Sequence, residues 1–296
     1  MESDKNVGCP GLDSKEKGYA PACEGCPNQK LCQSGQIEKD PTIDLVKSKL
    51  SSVKNIILVL SGKGGVGKSF VTSLIASSLN KLGYKVGVLD GDITGPSILK
   101  AYGIHERAYG DKDGHIYPAI TKSGIKMISS NMLVDNESDP IIWRGGLITT
   151  LLGQFYKDVL WEELDYLLID MPPGTSDVTL TTFQSIPLDG IIVVTSPQDL
   201  VSLIVEKAIN MANAMNINIL GLVENMSYVE CPNCKEKIFL YGEGTTNKLV
   251  SSLGIELLAK LPINPLNAEK IDKGEVEDIK MNEIDKVVEK IILMEK

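Results

Sequence analysis

Long apolar runs are missing from this 296-residue chain, and none approaches the ~20 residues that a membrane-spanning helix requires. The opening residues, Met1-Glu2-Ser3-Asp4-Lys5-Asn6, lack the apolar core of a secretory signal. The two absences together lead to the expectation of a cytosolic protein that works away from membranes. Basic charge is also in short supply. The net charge of −9 argues against nucleic acid as the main partner, because a phosphate backbone calls for patches of Lys and Arg. Histidine is scarce too. His105 and His115 lie in a polar stretch with Gly103, Asp111, Asp113 and Gly114, which reads as surface loop.

Cysteine, by contrast, is present six times, as Cys9, Cys23, Cys26, Cys32, Cys231 and Cys234. Thiols stay reduced in a cytosolic setting, so these read as ligands or reactive groups ahead of disulfides. Residues 1–40 hold four of them among Gly, Pro, Lys and Glu, with few aliphatic side chains. Such a segment cannot build a core and is expected to fold around something it binds. Residues 41–54 read as a connector and residues 55–296 as the main domain.

The main domain opens on Ile56-Ile57-Leu58-Val59-Leu60, a continuous apolar run of the kind found in strands buried on both faces. Similar strands are predicted at 86–89, 125–128, 166–169, 191–195, 219–223 and 257–261. Val71, Leu74, Ile75, Leu79 and Leu82, and later Ile284, Val287, Val288, Ile291 and Ile292, recur at helical spacing. Strands alternating with helices predict an α/β fold with a parallel sheet covered on both faces.

Directly after the first strand comes Ser61-Gly62-Lys63-Gly64-Gly65-Val66-Gly67-Lys68-Ser69, which satisfies the phosphate-loop pattern with a strand before it and a helix after it. Its glycines let backbone N–H groups, Val66 among them, converge on phosphate oxygens, and the helix N-terminus adds partial positive charge. Lys68 is expected to reach the β- and γ-phosphates and Ser69 to ligate Mg²⁺. Lys63 is a second lysine inside the loop. It reads either as a solvated side chain or as a cation aimed at phosphate, as an arginine finger is. Two further strand ends carry acids, Asp90 with Asp92 and then Asp170, where the ligands of open α/β sheets bind.

These residues resemble the deviant Walker-A ATPases of the MinD/Mrp type, a parallel-sheet P-loop NTPase group, from about Asn55 to Pro265. Lys63 and Lys68 together are that group's signature. Asp90-Gly91-Asp92-Ile93-Thr94-Gly95-Pro96-Ser97 looks like its first switch, and Asp170-Met171-Pro172-Pro173-Gly174-Thr175-Ser176-Asp177 like its Walker B and second switch. The resemblance implies ATPase activity in which Asp92 orients the attacking water and Lys63 crosses a dimer interface to the partner's nucleotide. It further implies that Asp170 acts on Mg²⁺, and that Asn225 and Pro262 lie in segments that contact the base.

The cysteine spacing is similar to that of the nucleotide-binding (NUBP) branch, the scaffolds of cytosolic iron–sulfur protein assembly in eukaryotes. Cys9-Pro10-Gly11 and Cys23-Glu24-Gly25-Cys26-Pro27-Asn28-Gln29 carry this likeness. On spacing alone, zinc and a 4Fe–4S cluster both fit four thiolates. The resemblance favours a 4Fe–4S cluster held by Cys9, Cys23, Cys26 and Cys32. Cys231 and Cys234 make half a site. A two-fold axis would complete it with one bridging cluster per dimer, while zinc and a redox-sensitive thiol pair stand as alternatives. The implied activity is assembly of clusters and their ATP-dependent transfer to cytosolic and nuclear apoproteins. The working unit would be a homodimer or a hetero-complex with a shorter paralogue, aided by cluster-targeting factors. A membrane-associated MinD-like regulator and a zinc-stabilised ATPase or kinase are the competing readings.

Overall fold

The structure is a computed structural model, which describes residues 15–16, 18–20, 23–24, 29–34, 46, 48–92, 97–133, 145–174, 177–198, 202–242, 244 and 246–294. Cys9 and Cys26 lie outside the described residues. Its strands are β1 (Val53–Ser61), β2 (Val86–Asp90), β3 (Tyr109–Gly110), β4 (Ile116–Tyr117), β5 (Ala119–Ile120), β6 (Lys126–Ser129), β7 (Leu164–Asp170), β8 (Gly190–Thr195), β9 (Ile219–Glu230), β10 (Lys237–Ile238) and β11 (Leu257–Pro262). All except β3 and β4 join one sheet in the order β10-β9-β8-β1-β7-β2-β6-β5, with β11 also pairing β9. The inner pairs are parallel, and the edge pairs β5–β6 and β10–β9 are antiparallel.

Each of the seven apolar runs forms a strand of this sheet. Ile57, Leu58 and Val59 of β1 are fully buried, as are Leu167, Leu168 and Ile169 of β7. Helices on both faces account for that burial. The helices are α1 (Gln29–Gln33), α2 (Lys68–Lys81), α3 (Ile98–Ala101), α4 (Gly145–Asp158), α5 (Asp177–Ser185), α6 (Ser202–Ala214), α7 (Thr246–Leu253), α8 (Pro265–Asp272) and α9 (Asp285–Ile292). Parallel register places Val59 opposite Asp170 and Asp90 opposite Asp170. The C-terminal ends of β1, β2 and β7 therefore meet at one point of the sheet edge.

The apolar stripe of α9 is spent inside the molecule. Val287, Val288 and Ile291 are buried, and the helix packs on α2 and β11. A lipid-binding helix needs that face free. Among the described residues no helix is long and apolar enough to cross a membrane.

In the cysteine-rich segment, Cys23 is buried and Cys32 half-buried on α1. Gly18 turns with φ +80°, and its carbonyl accepts from Gln29 Nε2 at 3.2 Å and Gln33 Nε2 at 2.8 Å. Of the residues read as connector, Leu50–Ser52 form a 3-10 turn, Val46 and Leu50 are buried against the main core, and Val53 and Lys54 already belong to β1 because the strand pairs with β7 from Val53 on.

Candidate functional site

The loop after β1 curls at Gly65 and Gly67, whose φ angles of 78° and 79° suit glycine, and α2 starts at Lys68. Gly67 has a second reason to lack a side chain. A Cβ there would sit 2.1 Å from Nδ2 of Asn225. That amide is buried and donates to the Val66 carbonyl at 2.9 Å, which fixes the loop from below. Gly62 is buried beneath the loop, while Lys63, Gly64 and Gly65 face solvent.

Asp170 is the hub of the site. It is fully buried and accepts from Lys68 Nζ at 2.6 Å, Ser69 Oγ at 2.6 Å and Thr72 Oγ1 at 2.7 Å. Lys68 also lies 3.8 Å from Asp92. Asp90 is buried beside them, accepting from the Asp92 N–H at 3.1 Å and Ser129 Oγ at 3.2 Å. Burial, and then the neighbouring Asp170 carboxylate, push its pKa up to about 7. The Asp170 and Asp92 carboxylates beside one ammonium, with Asp90 buried next to them, make a pocket short of positive charge. That deficit fits a divalent cation, with Ser69 and Asp170 as the groups that would hold Mg²⁺.

Above this cluster is a cavity of about 290 Å³ lined by the phosphate loop, Asp92 and Pro173, with an apolar wall of Ile98, Ala101 and Ile271. Lys63 reaches its rim, with Nζ 3.2 Å from Gln198 Oε1. Asn225 and Pro262 do not line it. Asn225 is committed to Val66, and Pro262 ends β11 opposite Tyr228. Thr72, one turn after Lys68, carries no site signal in the sequence, because a threonine inside a helix reads as core filling.

Cys231 and Cys234 sit in the turn between β9 and β10. The Cys231 N–H donates to Glu236 O at 2.9 Å and the Lys235 N–H to Cys231 O at 3.0 Å, while Lys235 takes φ +64°. Both cysteines are free, and Cys234 is exposed. Backbone N–H groups of Cys234 and Asn233 point at the Cys231 sulfur and lower its pKa, with the Cys234 side chain and Lys235 adding to the effect. A turn that stabilises thiolate in advance suits a metal or a cluster.

Residues 52–294 match the ParA family described as NUBPL iron-transfer P-loop NTPase. The chain belongs to that family. It is 45% identical over 268 residues to an iron-sulfur cluster carrier protein of Clostridium perfringens, covering 87% of this chain and 94% of the relative. A protein of the same description from Methanocaldococcus jannaschii is 43% identical over 253 residues, covering 85% and 87%. Among solved structures, a nucleotide-binding protein of Archaeoglobus fulgidus in complex with ADP superposes with TM-score 0.73 at 40% identity, covering 82% and 96%. The cell division ATPase MinD of Pyrococcus furiosus shares the fold at TM-score 0.58 and 20% identity. The parallel α/β sheet expected from the strand pattern, and the P-loop NTPase fold that the resemblance implied, are thus the ones found, in a family described by iron transfer. These relatives are bacterial and archaeal.

Proposed function

We propose that this protein is an ATP-driven carrier of 4Fe–4S clusters that works as a dimer, either with itself or with a shorter paralogue. The observation that carries the reading is the pair of free cysteines, Cys231 with its backbone-stabilised thiolate and the exposed Cys234, in a hairpin whose strand also braces the phosphate loop. Two thiolates from each subunit complete one four-thiolate site across a two-fold axis. The cluster there is cargo, destined for apoproteins of the cytosol and nucleus. A second cluster stays with Cys9, Cys23, Cys26 and Cys32, and this four-cysteine segment supports a place beside the eukaryotic cytosolic scaffolds.

At the nucleotide site, Lys68 exchanges Asp170 for phosphate oxygens, and the loop N–H groups and α2 N-terminus hold the remaining charge. Mg²⁺ on Ser69 and Asp170 would neutralise phosphate charge. Asp92, at the cavity wall, orients the attacking water. Lys63 leaves Gln198 to reach the partner's nucleotide. Closure of the dimer around ATP changes access to the bridging thiolates, and so couples hydrolysis to loading or release.

Anaerobic reconstitution of Cys231→Ala tests this reading. One N-terminal cluster per chain and one bridging cluster per dimer give about six irons per chain, so the variant should retain about four. Unchanged iron in the variant would rule out the bridge.

A further inference from the structure

We infer that a bulge in β9, Asn225-Met226-Ser227, passes the state of the phosphate loop to the cysteine hairpin, with Ser227 as the positioning residue that holds it. The inference builds on the reading above that the loop takes nucleotide and the hairpin takes metal.

β9 runs without a break from Ile219 in the sheet to Glu230, the residue before Cys231. In its middle it falls out of step with β11. Between two matched pairs, β11 advances from Lys260 to Pro262 while β9 advances from Glu224 to Tyr228. The surplus residues rise towards the phosphate loop. Asn225 bonds the Val66 carbonyl, and Met226 Cε would lie 3.8 Å from a Cβ on Gly67. Nothing in the local chain favours this shape. Met226 holds φ +58°, a region that side chains disfavour.

The bulge is held closed from within. Ser227 is buried and its hydroxyl donates to Glu224 Oε1. Glu224, equally buried, has Lys260 Nζ 3.5 Å away, and its Oε2 has no hydrogen-bond partner among the described residues. Past the bulge the strand is fastened to the hairpin. Lys237 Nζ lies 4.3 Å over the Tyr228 ring and Phe239 packs against the same ring at 6.1 Å, while the Ile263 N–H, just beyond β11, donates to Tyr228 O at 2.8 Å. A shift of the bulge would therefore be passed through Tyr228 to the hairpin that carries Cys231. Coupling between distant sites needs an element that both sites bias, and a strained bulge between loop and hairpin meets that requirement.

The test uses the full chain, reduced and free of iron, so it does not depend on cluster binding. Iodoacetamide labelling of Cys231 and Cys234 is timed with and without Mg²⁺–ADP, and nucleotide affinity is measured on the same samples. In the wild type, nucleotide should change the labelling rate about fivefold or more, the low end of ordinary coupling. Ser227→Ala should bind nucleotide yet show less than a twofold response, with Cys23 and Cys32 labelling unaffected. Glu224→Gln, which keeps the volume but weakens the clamp, serves if Ser227→Ala does not fold, and should also blunt the response. No response in the wild type, or a full response in the folded variants, overturns the inference. A chain that responds but never takes up iron would keep this inference and lose the carrier function.

Discussion

Three glycines of the phosphate loop meet different surroundings, and alanine at each should cost a different amount. At Gly64 a Cβ would touch only Pro173 Cγ, at an ordinary 3.8 Å, and φ is not positive, so Gly64→Ala should change stability by under about 0.5 kcal/mol. At Gly65 the space is open but φ is 78°, so Gly65→Ala pays only the left-handed backbone cost of about 1–2 kcal/mol. At Gly67 the same backbone cost applies, and the Cβ also drives Asn225 off the Val66 carbonyl. Losing that buried pair adds about 1–3 kcal/mol, for a total of about 2–5 kcal/mol. That is a large share of the roughly 5–15 kcal/mol that holds a folded domain together. Urea unfolding without nucleotide reads all three, with m-values checking that the denatured state is unchanged. Equal losses at Gly65 and Gly67 would refute the role given to Asn225, and a loss at Gly64 as large as at Gly67 would refute the loop geometry.

Thr72→Val removes a donor from buried Asp170 and should lower stability by about 1–3 kcal/mol; an unchanged urea midpoint would contradict the hub. Asp90 has a folded pKa of about 7 against 3.8 for an unperturbed aspartate, so the folded state holds its proton more tightly than the unfolded state. Its contribution is therefore fully present below pH ~4 and lost as pH rises through 7. In nucleotide-free protein Asp90→Asn should flatten that decline between pH 5 and 8, and a slope that survives in the variant argues against it. Alkylation of Cys231 followed against pH should have its midpoint below that of a free thiol, because backbone N–H groups hold the thiolate; an ordinary midpoint would deny the turn its role.

The parallel sheet was legible because strands covered on both faces must be apolar throughout, and β1, β7 and β8 are written that way. The phosphate loop was legible because its backbone shape demands glycine at fixed positions. What escaped depends on distance through space. Asp170 gathers Thr72 from 98 residues away, and no local signal distinguishes that threonine from its neighbours. The continuous apolar run that marks β9 stops at Val223. The strand continues through Asn225 and Ser227 because both are buried by partners, Val66 and Glu224, rather than by apolarity. The apolar stripe at the C-terminus was legible as a helix face, but what covers it was not. A stripe packed on α2 and β11 has the same sequence pattern as one laid on a membrane.

The central claim is that these thiolates carry iron and sulfide while the phosphate loop carries nucleotide. Purification without oxygen, with iron, sulfide and zinc counted per chain and the visible spectrum recorded, tests it most directly. The account predicts a brown protein with near-equal iron and sulfide and absorbance around 400 nm. A colourless protein that holds zinc and no iron would contradict it.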